Sequence, residues 1–205
     1  MPLELENGTI FLHVPRTGGT FATAVFRELG IVKRSIGRKH DCPGVCDIDM
    51  TKPMAVFVRH PYDWIRSVYA YQTANGWPKW PKDVDDGRWW HPFAELNGFP
   101  ESNLFVGFDD FLEWLATSAP GFATRTFCKF ADWPNATAYD TDDMESALVS
   151  IVGDLCSEGR VRAAVDRIRR TPSVNRMPNY PNMPDDLFVG HWFSLEQIAY
   201  ERWFA

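Results

Sequence analysis

Apolar runs and amphipathic stretches alternate along the chain in a way that names its elements. Thr9–Val14 (TIFLHV) is apolar and stops at Pro15, and Thr20–Leu29 (TFATAVFREL) then carries apolar residues at helical spacing up to Gly30. The spacing predicts strand, tight loop and helix. A second such unit follows, because Met54–Val58 (MAVFV) suits a buried parallel strand and Pro61 opens a helical pattern through about Ala74. Two strand-to-helix units predict an α/β fold, a small parallel sheet flanked by helices. Lys33–Asp49 is polar and broken by Gly and Pro, with room for one short strand and a loop.

Later segments read as a largely helical C-terminal part. Residues 75–100 are rich in Trp, Pro and Gly without a period, the pattern of a long aromatic loop or lid. Phe108–Leu115 (FDDFLEWL) predicts a helix with Asp109 or Asp110 as N-cap, and Asp142–Leu155 and Arg160–Arg170 predict two more. Thr171–Pro184 holds four prolines and is expected to be extended or turned. Ser194–Phe204 predicts a closing helix with a capping box of Ser194 and Gln197.

Composition narrows the function classes. A length of 205 residues predicts one domain, 1–205. The formal net charge of −6 argues against broad nucleic-acid binding, which needs a cationic surface. No run approaches the roughly 20 apolar residues of a membrane span, and no signal-peptide pattern opens the chain, so a soluble cytoplasmic protein is expected. Cys42, Cys46, Cys128 and Cys156 are too dispersed for a disulfide framework and lack a second pair at metal-ligand spacing, so reduced thiols and no metal are expected.

The candidate chemistry begins at His13–Thr20 (HVPRTGGT), between the first strand and its helix. Backbone N–H groups at a helix start can point at an anion, and Gly18 and Gly19 let the chain approach it without a Cβ in the way. Thr17 and Thr20 add hydroxyls, and Arg16 adds a positive charge where a phosphoanhydride-like bond would break. A plain strand-to-helix turn uses the same residues. The GxxxxGK[ST] spacing and a magnesium-holding acid at a strand end are both missing, which disfavours metal-dependent ATP chemistry. At the second strand end, Val58–Ser67 (VRHPYDWIRS) sets Arg59 at the terminus and Ser67 about two turns into the next helix.

Together these two segments resemble the carbohydrate-type sulfotransferases, including the heparan sulfate 2-O-sulfotransferase-like group, whose loops read like HxPKTGGT and VRxPxxRxxS. The resemblance is strongest over residues 9–72. It implies a P-loop-like fold and 3′-phosphoadenosine 5′-phosphosulfate (PAPS) as donor, leaving adenosine 3′,5′-bisphosphate as product without a metal. It further implies that Arg16, Thr17, Gly18, Gly19 and Thr20 hold the 5′-phosphosulfate, and Arg59 and Ser67 the 3′-phosphate. Two positions depart from the pattern: Arg16 replaces the usual Lys, and Trp64 stands where an Arg is usual, with Arg66 as a candidate replacement.

Attack of a hydroxyl on sulfur needs a base, and imidazole suits neutral pH. The resemblance favours His40, with His91 and Glu95 as rivals and Arg16 as the stabiliser of the leaving group; His13 reads as structural. Trp77, Trp80, Trp89, Trp90 and Phe93 suit stacking on a sugar ring or forming a small core under the loop. Asp83, Asp85 and Asp86 disfavour a highly sulfated acceptor, leaving a less charged glycan, glycolipid or small alcohol. The rival functions are an ATP-dependent P-loop kinase and a non-catalytic nucleotide-binding protein of the same fold.

Overall fold

The structure, a computed structural model, describes residues 1–75, 107–171 and 191–204. The aromatic segment from 76 to 100, with His91 and Glu95, and the proline-rich stretch beyond Thr171 lie outside the described residues. The described chain forms an α/β fold whose residues cluster into two compact units, Met1–His60 with Phe127–Arg176 and Trp203–Ala205, and Pro61–Thr126 with Met177–Arg202.

The first unit holds a five-stranded sheet. Its strands are β1 (Leu3–Leu5), β2 (Ile10–Leu12), β3 (Val32–Ser35), β4 (Met54–Val58) and β5 (Ala136–Asp140), in the order β3-β1-β2-β4-β5. β2, β4 and β5 are mutually parallel, whereas β1 runs antiparallel to both β2 and β3. The sheet is therefore mixed, where the sequence predicts a parallel one. The added antiparallel pair comes from LEL and VKRS, runs too short to carry a period of their own.

Helix α1 (Gly19–Leu29) buries Ala22, Val25, Phe26 and Leu29, spaced three and four residues apart, against this sheet's core. Phe11 meets Phe26 and Phe57 edge to face at 5.1 and 5.8 Å. The core is completed by Leu148, Ile151 and Val152 and by Val161, Ala164 and Val165, which belong to α5 and α6 below. Burying each of these large side chains contributes about 1.5–3 kcal/mol. Strand β4 is apolar at every position and buried throughout, as expected of a strand with a parallel neighbour on each side.

In the second unit, α2 (Pro61–Asn75) follows β4 directly, with α3 (Phe108–Ser118) and the first half of α4 (Phe122–Ala131). Gly107 is the N-cap of α3 and its N–H donates to the Asp110 carboxylate at 3.2 Å, so Asp110 acts from inside the first turn instead of as the cap itself. In the first unit, Thr141–Asp143 forms a 3-10 turn, and α5 (Met144–Val152) and α6 (Glu158–Arg170) match the two predicted helices within three residues at their starts. Helix α7 (His191–Glu201) starts before Ser194, so no capping box forms there. Gln197 donates instead to Glu201 at 2.7 Å.

Candidate functional site

Three parallel strands in adjacent register end at one edge of the sheet. Leu12 pairs with Val56, and Val58 pairs with Asp140. The chain leaving β2 (residues 13–18), the chain leaving β4 (Arg59, His60) and the turn after β5 thus emerge side by side, the edge where ligands gather in open α/β sheets.

The loop after β2 is built from unusual backbone. Arg16 has φ 63° and Gly18 φ 76°, both left-handed. Arginine in that region costs about 1–2 kcal/mol, so the surrounding packing must impose it. That packing is visible at both glycines. A Cβ on Gly18 would lie 2.3 Å from Met144 Cε, and one on Gly19 would lie 2.2 Å from His13 Cδ2 and 2.6 Å from its Nε2. The two glycines therefore accommodate neighbouring side chains as well as the turn. Thr17 is buried and its hydroxyl donates to the Val14 carbonyl at 3.0 Å. Its side-chain proton is thus committed inside the loop, and what it offers an anion is its backbone N–H. Thr20 is exposed in the first turn of α1.

Helix α1 begins without a side-chain hydrogen bond to its cap and without an acidic residue in its first turn. The positive end of its dipole is left to whatever anion can reach the loop.

Behind the loop lies a histidine pair. His40 is buried and its Nδ1 sits 3.1 Å from the His13 carbonyl. A carbonyl only accepts, so Nδ1 carries the proton and Nε2 is the acceptor of the neutral ring. The two rings meet edge to face with centroids 4.9 Å apart. Burial lowers His40 to about 3 and His13 to about 2, the latter helped by the neighbouring His40. Both rings are therefore neutral across the physiological range. His13 packs as the sequence reading expects, and it also lines a cavity beside Thr20.

The remaining candidates are distributed. Arg59 is half-buried at the end of β4, in the same unit as the loop. Ser67 belongs to α2 in the second unit, where it is buried. Trp64, the departure from the motif, is fully buried and packs on Phe122 at 5.5 Å. Its indole serves the core of that unit, which accounts for an aromatic at this position. Arg66 pairs with Asp63 at 3.1 Å.

Sequence reasoning missed Lys39, which stands on the loop between β3 and β4 and whose ammonium is lowered by partial burial and then by the charge of Arg16. Only the fold brings residues 16 and 39 close, and the basic run GRKH is the one trace of it in the sequence. Among the described residues no group of three His, Cys, Asp or Glu is placed to hold a metal ion, and no helix is long and apolar enough to cross a membrane. No protein-family model, curated protein or solved structure matches the chain.

Proposed function

We propose that the protein is a PAPS-dependent sulfotransferase, moving a sulfuryl group to a hydroxyl of a glycan, glycolipid or small alcohol. The observation that carries the reading is the start of α1: an uncapped helix preceded by left-handed Arg16 and Gly18, with His13 pressed against Gly19. These residues fit an anionic group, because free N–H groups, a helix dipole and a guanidinium meet there with no acid in the first turn. Arg59, emerging from the neighbouring strand at the same sheet edge, supports recognition of a second phosphate. Ser67 joins it on the strength of the VRHPYDWIRS motif.

When bound, PAPS supplies an activated sulfuryl group. Arg16 and the backbone of Thr17–Thr20 hold the 5′-phosphosulfate and offset the charge that collects on the leaving phosphate. Arg16 stays charged throughout and donates no proton. As the acceptor oxygen bonds to sulfur and the bond to the phosphate oxygen breaks, the acceptor proton passes to a base. His40 is that base in this reading, its Nε2 left as the acceptor by the bond from Nδ1 to His13. The anionic donor would raise its basicity. All four cysteines are free thiols, which supports a reducing, cytoplasmic setting.

Calorimetric titration in EDTA with adenosine 3′,5′-bisphosphate and with ADP tests the reading. The bisphosphate should bind at least about tenfold more tightly, the worth of one charge-assisted contact. Equal affinities would overturn it, and binding that requires magnesium would point to a kinase. Binding of the bisphosphate without turnover of any acceptor would leave a non-catalytic nucleotide binder.

A further inference from the structure

Beside the loop, α1 walls a cavity of about 300 Å³ whose lining includes His13, Thr20, Thr23, Arg27 and Lys39. A wider opening of about 450 Å³ on the same helix shares Thr20, Thr23 and Arg27. These three residues recur at i, i+3 and i+7, so one face of α1 presents them together. A cavity of this size admits a single sugar ring or a small organic acid.

Its polar groups are unmatched. Arg27 and Lys39 make no ion pair among the described residues. The Thr23 hydroxyl is buried without a hydrogen-bond partner. In a helix that hydroxyl ordinarily donates to a carbonyl one turn back, and leaving it unsatisfied costs about 1–3 kcal/mol. Glu28, the one acid on the wider opening, is paired with Arg167 at 2.9 Å. The lining therefore offers two cations and a hydroxyl donor, with its carboxylate engaged elsewhere, in a protein whose overall charge is −6.

We infer that this cavity binds the acceptor, and that the acceptor carries an acid group held by Arg27 and Lys39 with the Thr23 hydroxyl as a further donor. The inference rests on the sulfotransferase reading for the word acceptor, and it reverses the expectation of a weakly charged one. That expectation drew on Asp83, Asp85 and Asp86, which lie outside the described residues. The same geometry brings the acceptor's hydroxyl toward His13 and Thr20, at the end of the cavity that adjoins the loop.

Glucuronate and glucose, which share a ring and differ by one carboxylate, are the probes. Each is titrated by ligand-observed NMR into the full chain saturated with adenosine 3′,5′-bisphosphate. Glucuronate should bind at least about tenfold more tightly, one charge-assisted hydrogen-bond pair. Lys39→Gln and Arg27→Gln should each erase most of that preference while keeping nucleotide affinity, which also reports that the variants are folded. Arg170→Gln, a cation on α6 away from the cavity lining, should leave it intact. Equal affinity for the two sugars, no detectable binding of glucuronate, or a preference that survives both cavity variants would overturn the inference. Should the nucleotide itself fail to bind, the donor reading falls, and the same sugar comparison on the unliganded chain still decides whether the cavity selects an acid.

Discussion

Helices α1 and α4 solve the same problem in opposite ways. The first N–H groups of α4 are met from within the chain: Glu196, buried on α7, accepts from Ala123 N at 3.2 Å, from Thr124 N at 2.8 Å and from the Thr124 hydroxyl. Helix α1 has no such internal anion and enters through two left-handed residues. The difference teaches that the positive end of a helix is neutralised in the fold when its task is structural and kept open when an outside anion is to use it.

Acid should separate the two starts most sharply. His13 and His40 lie below the ordinary value near 6.5, at about 2 and about 3, so the folded chain keeps them neutral where the unfolded chain takes up protons. Their contribution is complete above pH 6.5 and is lost as the pH falls toward those values. Unfolding free energy should fall by about 1 kcal/mol or more per pH unit between roughly pH 6 and 4, followed by urea denaturation across pH. His13→Gln with His40→Gln should flatten that slope.

Removing the anion of α4 comes next. Glu196→Ala strands two backbone donors and should destabilise the protein by about 3 kcal/mol, read by urea unfolding, while leaving nucleotide affinity near that of the native chain. The converse change at α1, Gly19→Ala, drives a methyl into the His13 ring. It should cost about 1–3 kcal/mol and weaken nucleotide binding as the loop shifts.

Arg16→Gly relieves the left-handed arginine and should raise stability by about 1 kcal/mol, provided its side chain contributes little else to the fold. Turnover should fall in the same variant. The gentlest change gives α1 an anion of its own. Thr20→Glu should stabilise by about 0.5 kcal/mol through the helix dipole and lower bisphosphate affinity at least about tenfold. A Thr20→Glu variant that binds the nucleotide normally would erase the functional distinction between the two helices.

How much of this was legible in the sequence follows from how local each signal is. β2, α1, β4 and α2 are written in uninterrupted patterns with Gly or Pro at their borders, and the structure matches them within two residues. β5 (ATAYD) and α4 (FATRTFCKFA) were not read. β5 is a mix of small and polar residues held by pairing with β4, and α4 takes its cap from Glu196, 72 positions away along the chain from Thr124. The loop of the candidate site was legible because six of its residues are contiguous. The press of His13 on Gly19 and the meeting of Arg27 with Lys39 were not, since each depends on chain reversal between positions that sequence keeps apart.

One carboxylate has reach beyond the fold's interior. Glu4 is buried in β1 and is held to about 2 by Lys52 together with Arg34 and Lys33. Two of those cations stand on β3, the outermost strand on that side of the sheet. The arrangement ties a four-residue border strand to its neighbour by charge as well as by backbone pairing. It also surrounds the border's unpaired N–H and C=O groups with ammonium and guanidinium groups that resist the approach of another strand. A second copy of the chain arriving at this border would bring the same positive row against it, so the contact that secures the strand internally also guards the sheet against growing from molecule to molecule.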